Sequence, residues 1–205
     1  MRTQKYLLKV LSVCLFSMIL LGCAATVNFT YNVQKPLTVG EKINSNSTFY
    51  FSIVDLRPDP DIIGYMDNMY GMRVKKIKPS DLDVTKSIYV SYKEELLKKG
   101  FVFSENANNS DLKLTLSITT FLGEMRPGIV NLVTKADCCM KVSLVSGKEN
   151  SEIYKTDVCG KGEKKTALVA GKKDIPEALS YAVDDVLSKM LSETELINAI
   201  NKFKK

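Results

Sequence analysis

The chain has 205 residues, of which 45% are hydrophobic and 25% charged, a balance that excludes wholesale disorder and suits one domain with a proper core. Its formal net charge is +6 and it contains no histidine. The missing imidazole excludes Ser-His-Asp and Cys-His catalysis and the commonest metal ligand, and so mild a charge makes no case for nucleic acid.

The N-terminus carries Arg2, Lys5 and Lys9, followed by an apolar stretch, Val10 to Leu21, too short to span a bilayer. Leu20-Leu21-Gly22-Cys23 closes that stretch and resembles a bacterial lipobox. The resemblance implies a diacylglycerol on the Cys23 thiol, cleavage after Gly22 and acylation of the new amino terminus. The alternative is an ordinary secretory signal or signal-anchor with a chance cysteine. Losing residues 1–22 removes three of the 29 basic residues and none of the 23 acidic ones, which leaves +3. Several acyl chains would hold the protein firmly on a membrane, where one chain binds marginally. Ala24 stands where aspartate would signal inner-membrane retention, so the expected address is the outer membrane, facing the periplasm.

Residues 23–47 are rich in Asn, Ser and Thr and read as a tether, with a short strand at Val27–Val33, ahead of a single domain over 48–205. A strand is expected at Thr48–Leu56, then a loop, Arg57-Pro58-Asp59-Pro60-Asp61, in which two prolines forbid regular structure. Tyr70–Ile77 is a further candidate strand. A helix is expected from Asp81 to Lys99, capped by Ser80 with Asp83, with Val84, Ile88, Tyr92 and Leu96 on one face and Gly100 as its stop.

Leu112, Leu114, Leu116 and Ile118 alternate with polar residues, the pattern of a strand with one face on a core and one in water. A hairpin follows, Ala136–Ser146 and Glu152–Gly160. Matching its faces sets opposed positions to sum to 298, so that Leu144 meets Tyr154, Met140 meets Val158, Lys141 meets Asp157 and Cys139 meets Cys159. Cys139 and Cys159 would then form a cross-strand disulfide, with Cys138 turned to the core. The rival bridge, Cys138–Cys159, needs a one-residue slip that sets Lys155 against Val142. A zinc site has too few ligands to be favoured, and no metal or other cofactor is expected. A Gly- and Lys-rich loop then leads to a helix capped by Asp174-Ile175-Pro176-Glu177, and Ser192 with Glu195 offers a capping box for a last short helix ending near Phe203. The sum is an α+β domain, a mixed, mostly antiparallel sheet with helices packed on one face.

Motifs for chemistry are weak. Ser110 and Lys113 have S-x-x-K spacing but open a strand, where positions three apart point to opposite faces. Gly160-Lys161-Gly162 and Gly171-Lys172-Lys173 lack the spacing of a phosphate loop and read as turns. Asp55, Asp59 and Asp61 read as a solvated turn and not a calcium loop, and Asp184-Asp185 as the polar side of a helix. Lys161, Lys164, Lys165, Lys172 and Lys173 form either a solvated loop or a basic finger for anionic headgroups or envelope polymers.

The lipobox at Cys23, Asp55-x-Arg57-Pro58 followed by Ile63-Gly64, Gly100-Phe101 at a helix end, Thr134-Lys135-Ala136-Asp137 and Ile175-x-x-Ala178 together resemble the YajG-type family of bacterial lipoproteins. The resemblance implies an envelope lipoprotein with an α+β domain and lends no catalytic residue; the cysteine pair departs from it. The function expected is non-enzymatic: a lipid-anchored protein that binds an envelope protein partner or supports an assembly, with Asp55, Arg57, Ile63 and Gly64 as the candidate partner surface. Here too an alternative stands, a turn held by its own hydrogen bonds. The alternative function is a lipid- or glycan-binding auxiliary of envelope transport, which would need an apolar groove between sheet and helices.

Overall fold

The structure, a computed structural model, describes residues 25–31, 33, 46–80, 84–127, 131–167 and 173–203. They form one eight-stranded mixed sheet with three helices, the expected α+β class. The strands are β1 (Ala25–Val27), β2 (Thr48–Asp55), β3 (Gly64–Asp67), β4 (Arg73–Pro79), β5 (Val102–Phe103), β6 (Leu112–Pro127), β7 (Asn131–Ser146) and β8 (Glu152–Ala167). The helices are α1 (Val84–Lys98), α2 (Asp174–Ser192) and α3 (Thr194–Lys202).

A long antiparallel meander, β6–β7–β8, is the spine. The other edge of β6 is shared by two strands placed end to end. β2 runs parallel to residues 112–118, and β3 runs parallel to residues 123–125. β4 returns antiparallel to β3, and β1 adds a parallel edge to β4. Most paired residues are antiparallel, because the two meander ladders are long.

Beta-strand alternation carries β6 further than its opening pattern suggests. Leu112 to Ile118 face the core at even positions, whereas Phe121 and Met125 do so at odd ones. A bulge between Ile118 and Thr120 makes the switch: Thr119 is the extra residue, and its hydroxyl donates to the Cys139 carbonyl at 3.2 Å. β7 and β8 likewise run past the expected hairpin ends, so Lys161, Lys164 and Lys165 stand on a strand and not in a loop.

The helices cover one face. α1 lies over β2, with Tyr89 stacked on Phe51 at 5.2 Å between centroids, and α2 lies over β6, β7 and β8. α1 ends in a Schellman motif: Phe101 N–H donates to the Leu96 carbonyl, Gly100 N–H to that of Leu97, and Gly100 takes a φ of 92°. The expected cap at Ser80 and Asp83 involves residues outside those described. Two other expected caps are not built. Asp174 is the first residue of α2 and is buried, and Ser192 closes α2 with its hydroxyl on the Ser188 carbonyl, leaving α3 without a side-chain cap.

The segment expected to be a tether is folded into the domain as far as Tyr31. Ala25, Val27, Phe29 and Tyr31 are buried, because their alternation puts one face of the segment on the core. Phe29 meets Phe121 edge-on at 5.0 Å. The Tyr31 hydroxyl donates to Asp184 Oδ1 at 2.6 Å, between α1 and α2.

Candidate functional site

Three regions bear on function: the loop between β2 and β3, the open face of the sheet, and the hairpin between β3 and β4.

The loop crosses the stretch of β6 that neither β2 nor β3 pairs, residues 119–122. Arg57 fills that gap. Its Nη1 donates to the carbonyls of Ile62 at 3.0 Å and Phe121 at 3.4 Å, and its Nη2 to that of Pro60 at 2.9 Å. Nε and Nη2 grip the Asp55 carboxylate at 2.9 and 2.7 Å, and the guanidinium lies 5.4 Å from the Phe121 ring centre. Burial pushes the Asp55 carboxyl up, but the Arg57 hydrogen bonds and charge outweigh it and hold the group below the usual carboxylate range. The expected partner surface is therefore corrected. Arg57 is 8% exposed, Ile63 is fully buried, and Gly64 faces Ile175. Together they are a bracket that joins two strands across a gap, with their polar groups already satisfied.

Close approach explains the glycines. A Cβ on Gly64 would stand 3.0 Å from Ile175 Cδ1, and one on the paired Gly123 2.9 Å from Ile175 Cγ2. Gly160 and Gly162, expected in a turn, lie on β8 beneath α2. A Cβ there would drive into the carbonyl oxygens of Ala182 and Ala178. Helix α2 and strand β8 thus meet backbone to backbone at these two positions, and a depression of about 510 Å³ opens farther along, between Ile153 and Tyr154 of β8 and Ala199 and Phe203 at α3.

Cys139 and Cys159 pair in the expected register and form a disulfide, their Cα atoms 4.1 Å apart as in a non-hydrogen-bonded antiparallel pair. The bridge lies on the open face, opposite the helices. Cys138 is buried as a free thiol, and burial pushes its pKa up to about 12.

The lysines are dispersed by the strand. Lys164 pairs with Glu177 at 2.6 Å and Lys165 with Glu163 at 3.1 Å. Lys161 donates its backbone N–H to Asp185, and Lys189 reaches the Cys159 carbonyl, so α2 satisfies the free edge of β8. Asp185 is thus polar-side as expected, while Asp184 is buried against Tyr31. Lys173 sits at the start of α2; Lys172 and Cys23 lie outside the described residues.

On the open face, Tyr50, Ser52, Thr115, Ser117 and Lys141 form a polar carpet. At its far end Arg73 stacks on Tyr65 at 4.1 Å and pairs with Glu124, which also pairs with Arg126, and Arg126 reaches Asp67. A shallow depression of about 380 Å³ lies there, bordered by Glu124, Arg126, Val133 and Asp137. Its one arginine, Arg126, is paired with Glu124 and Asp67, and Lys135 also borders it. Ser110 donates to the Ala107 carbonyl and Lys113 to Asn150, which sets the two apart. Among the described residues no cluster of metal-ligating side chains occurs.

The hairpin between β3 and β4 exposes Met69, Tyr70, Met72 and Val74. Tyr70, expected to open a strand, lies in the turn, and β4 begins at Arg73. Asn68 and Gly71, three residues apart, are the turn signal: Asn68 Oδ1 accepts from Tyr70 and Met72 N–H, and Gly71 takes a φ of 77°.

A family described as uncharacterized lipoprotein matches residues 35–201. Among curated proteins none matches the chain. Similar solved structures include protein XCC0632 of Xanthomonas campestris, 12% identical, with a TM-score of 0.50 over 86% of this chain and 95% of that one. A Helicobacter pylori protein described as a neuraminyllactose-binding hemagglutinin homolog is 12% identical, with a TM-score of 0.43 over 84% and 96% of the two chains. A lipoprotein of Caulobacter crescentus is 14% identical, with a TM-score of 0.36 over 46% and 70%. The first of these supports the fold alone.

Proposed function

The chain belongs to this uncharacterized lipoprotein family, and from that premise we propose that it is a non-enzymatic protein, anchored at the outer membrane through acylated Cys23, that presents the open face of its sheet to an envelope protein. One observation carries the reading: the helices cover one face of the sheet, α2 meeting β8 backbone to backbone, while the other face stands in solvent and holds the disulfide. A lipid carrier would need an apolar groove between sheet and helices; the contact of Gly160 and Gly162 with α2 fills that space along β8, and the depression beside α3 is bordered by Glu195, Asn198 and Lys202 as well as by Ile153, Tyr154 and Phe203. The disulfide suits an oxidising compartment. In-cell crosslinking followed by affinity capture and mass spectrometry tests the proposal. One envelope protein captured repeatedly, and lost in Cys23→Ala, is the expected result; abundant background alone would contradict it.

A further inference from the structure

We infer that the β3–β4 hairpin is a second membrane contact, seated on the anionic bilayer surface that holds Cys23; the inference rests on the anchorage proposed above. β1 is parallel to β4, with Ala25 beside Ile77 and Val27 beside Pro79. Both strands therefore run away from the hairpin turn, and the N-terminal end of β1 points toward it. Ala25 is two positions after Cys23, a reach of at most about 7 Å. From Ile77 to the turn β4 covers about 13 Å. An acylated Cys23 thus leaves the domain at its hairpin end, and the acyl chains draw that end to the bilayer.

The hairpin is made for such a surface. Met69, Tyr70, Met72 and Val74 are 77%, 88%, 59% and 52% exposed. Their turn satisfies its own backbone: Asn68 N–H donates to the Met72 carbonyl, Gly71 N–H to that of Asn68, and the Asn68 side chain takes two more N–H groups. A turn whose polar groups are internally bonded can enter the headgroup region at little cost, and tyrosine favours that depth. Residues 68–80 carry Arg73, Lys75, Lys76 and Lys78 and no acidic residue. The three lysines make no ion pair among the described residues, which leaves them for anionic headgroups.

The chain has no tryptophan, so Tyr70→Trp gives a single tryptophan that can be excited apart from the tyrosines. The mature acylated protein is reconstituted into phosphatidylcholine–phosphatidylglycerol vesicles with brominated acyl chains, and Val90→Trp, on exposed α1, serves as the distant probe. The Tyr70→Trp emission is expected to shift to the blue and lose most of its intensity to the bromolipid, Val90→Trp to do neither, and Met69→Asp with Met72→Asp to abolish the effect. An unshifted, unquenched Tyr70→Trp in protein that floats with the vesicles overturns the hairpin contact and leaves the anchorage standing. A blue shift that follows protein density and not bromolipid seats a second copy there and equally overturns it. Protein that fails to float removes the anchorage and this inference with it.

Discussion

Arg57 shows how a residue that looks made for recognition can be spent inside the fold. Its guanidinium reaches the Phe121 carbonyl in the stretch of β6 between β2 and β3 and ties the loop across that stretch through Ile62 and Pro60. Arg57→Ala leaves three carbonyls without their donor and the Asp55 carboxylate with only the backbone N–H of residue 57, and should cost about 3 kcal/mol in urea unfolding. Asp55 has a lowered folded pKa. Its contribution is therefore complete above the ordinary carboxylate value, about pH 4, and is lost as pH falls through that value toward the lower folded one. The stability gap between wild type and Asp55→Asn should accordingly narrow on acidification; a gap that widens would contradict this. Gly162→Ala would push a methyl into the Ala178 carbonyl and should cost about 2 kcal/mol, read as a lowered melting temperature. The types at these positions were legible in the sequence, as the motif Asp55-x-Arg57-Pro58 and the pair Gly160 and Gly162. Their role was not, since it depends on which element lies on top of them.

At the scale of elements, local rules succeeded where the pattern was continuous. The β7–β8 register followed from matching apolar faces, and with it the Cys139–Cys159 bridge. Breaking that bridge by Cys139→Ser with Cys159→Ser should lower stability by about 3 kcal/mol, the chain-entropy value for a loop of this size. Buried Cys138 should resist thiol reagents in the native protein and react on unfolding, which a thiol assay with and without urea reads directly. α1 was equally legible, from its apolar face to its glycine stop. The second half of β6 was not, because the bulge at Thr119 reverses the alternation on which strand recognition depends. β3, four residues long, is held between β4 and the distant β6, and no local periodicity announces it.

For the whole molecule, the parallel registers of β1 and β3 set one end of the sheet apart. The start of β1, the β3–β4 hairpin, the close of β6 and the close of β8 all lie there. A domain held by lipid at that end would stand with these strand ends toward the membrane and its open face turned sideways to the envelope space. The most direct test of the central claim is site-specific photocrosslinking in cells, with the probe at Lys141 on the open face or at Val90 on α1. The account predicts one defined envelope protein crosslinked from Lys141 and not from Val90. The same products from both positions, or none from Lys141, would contradict it.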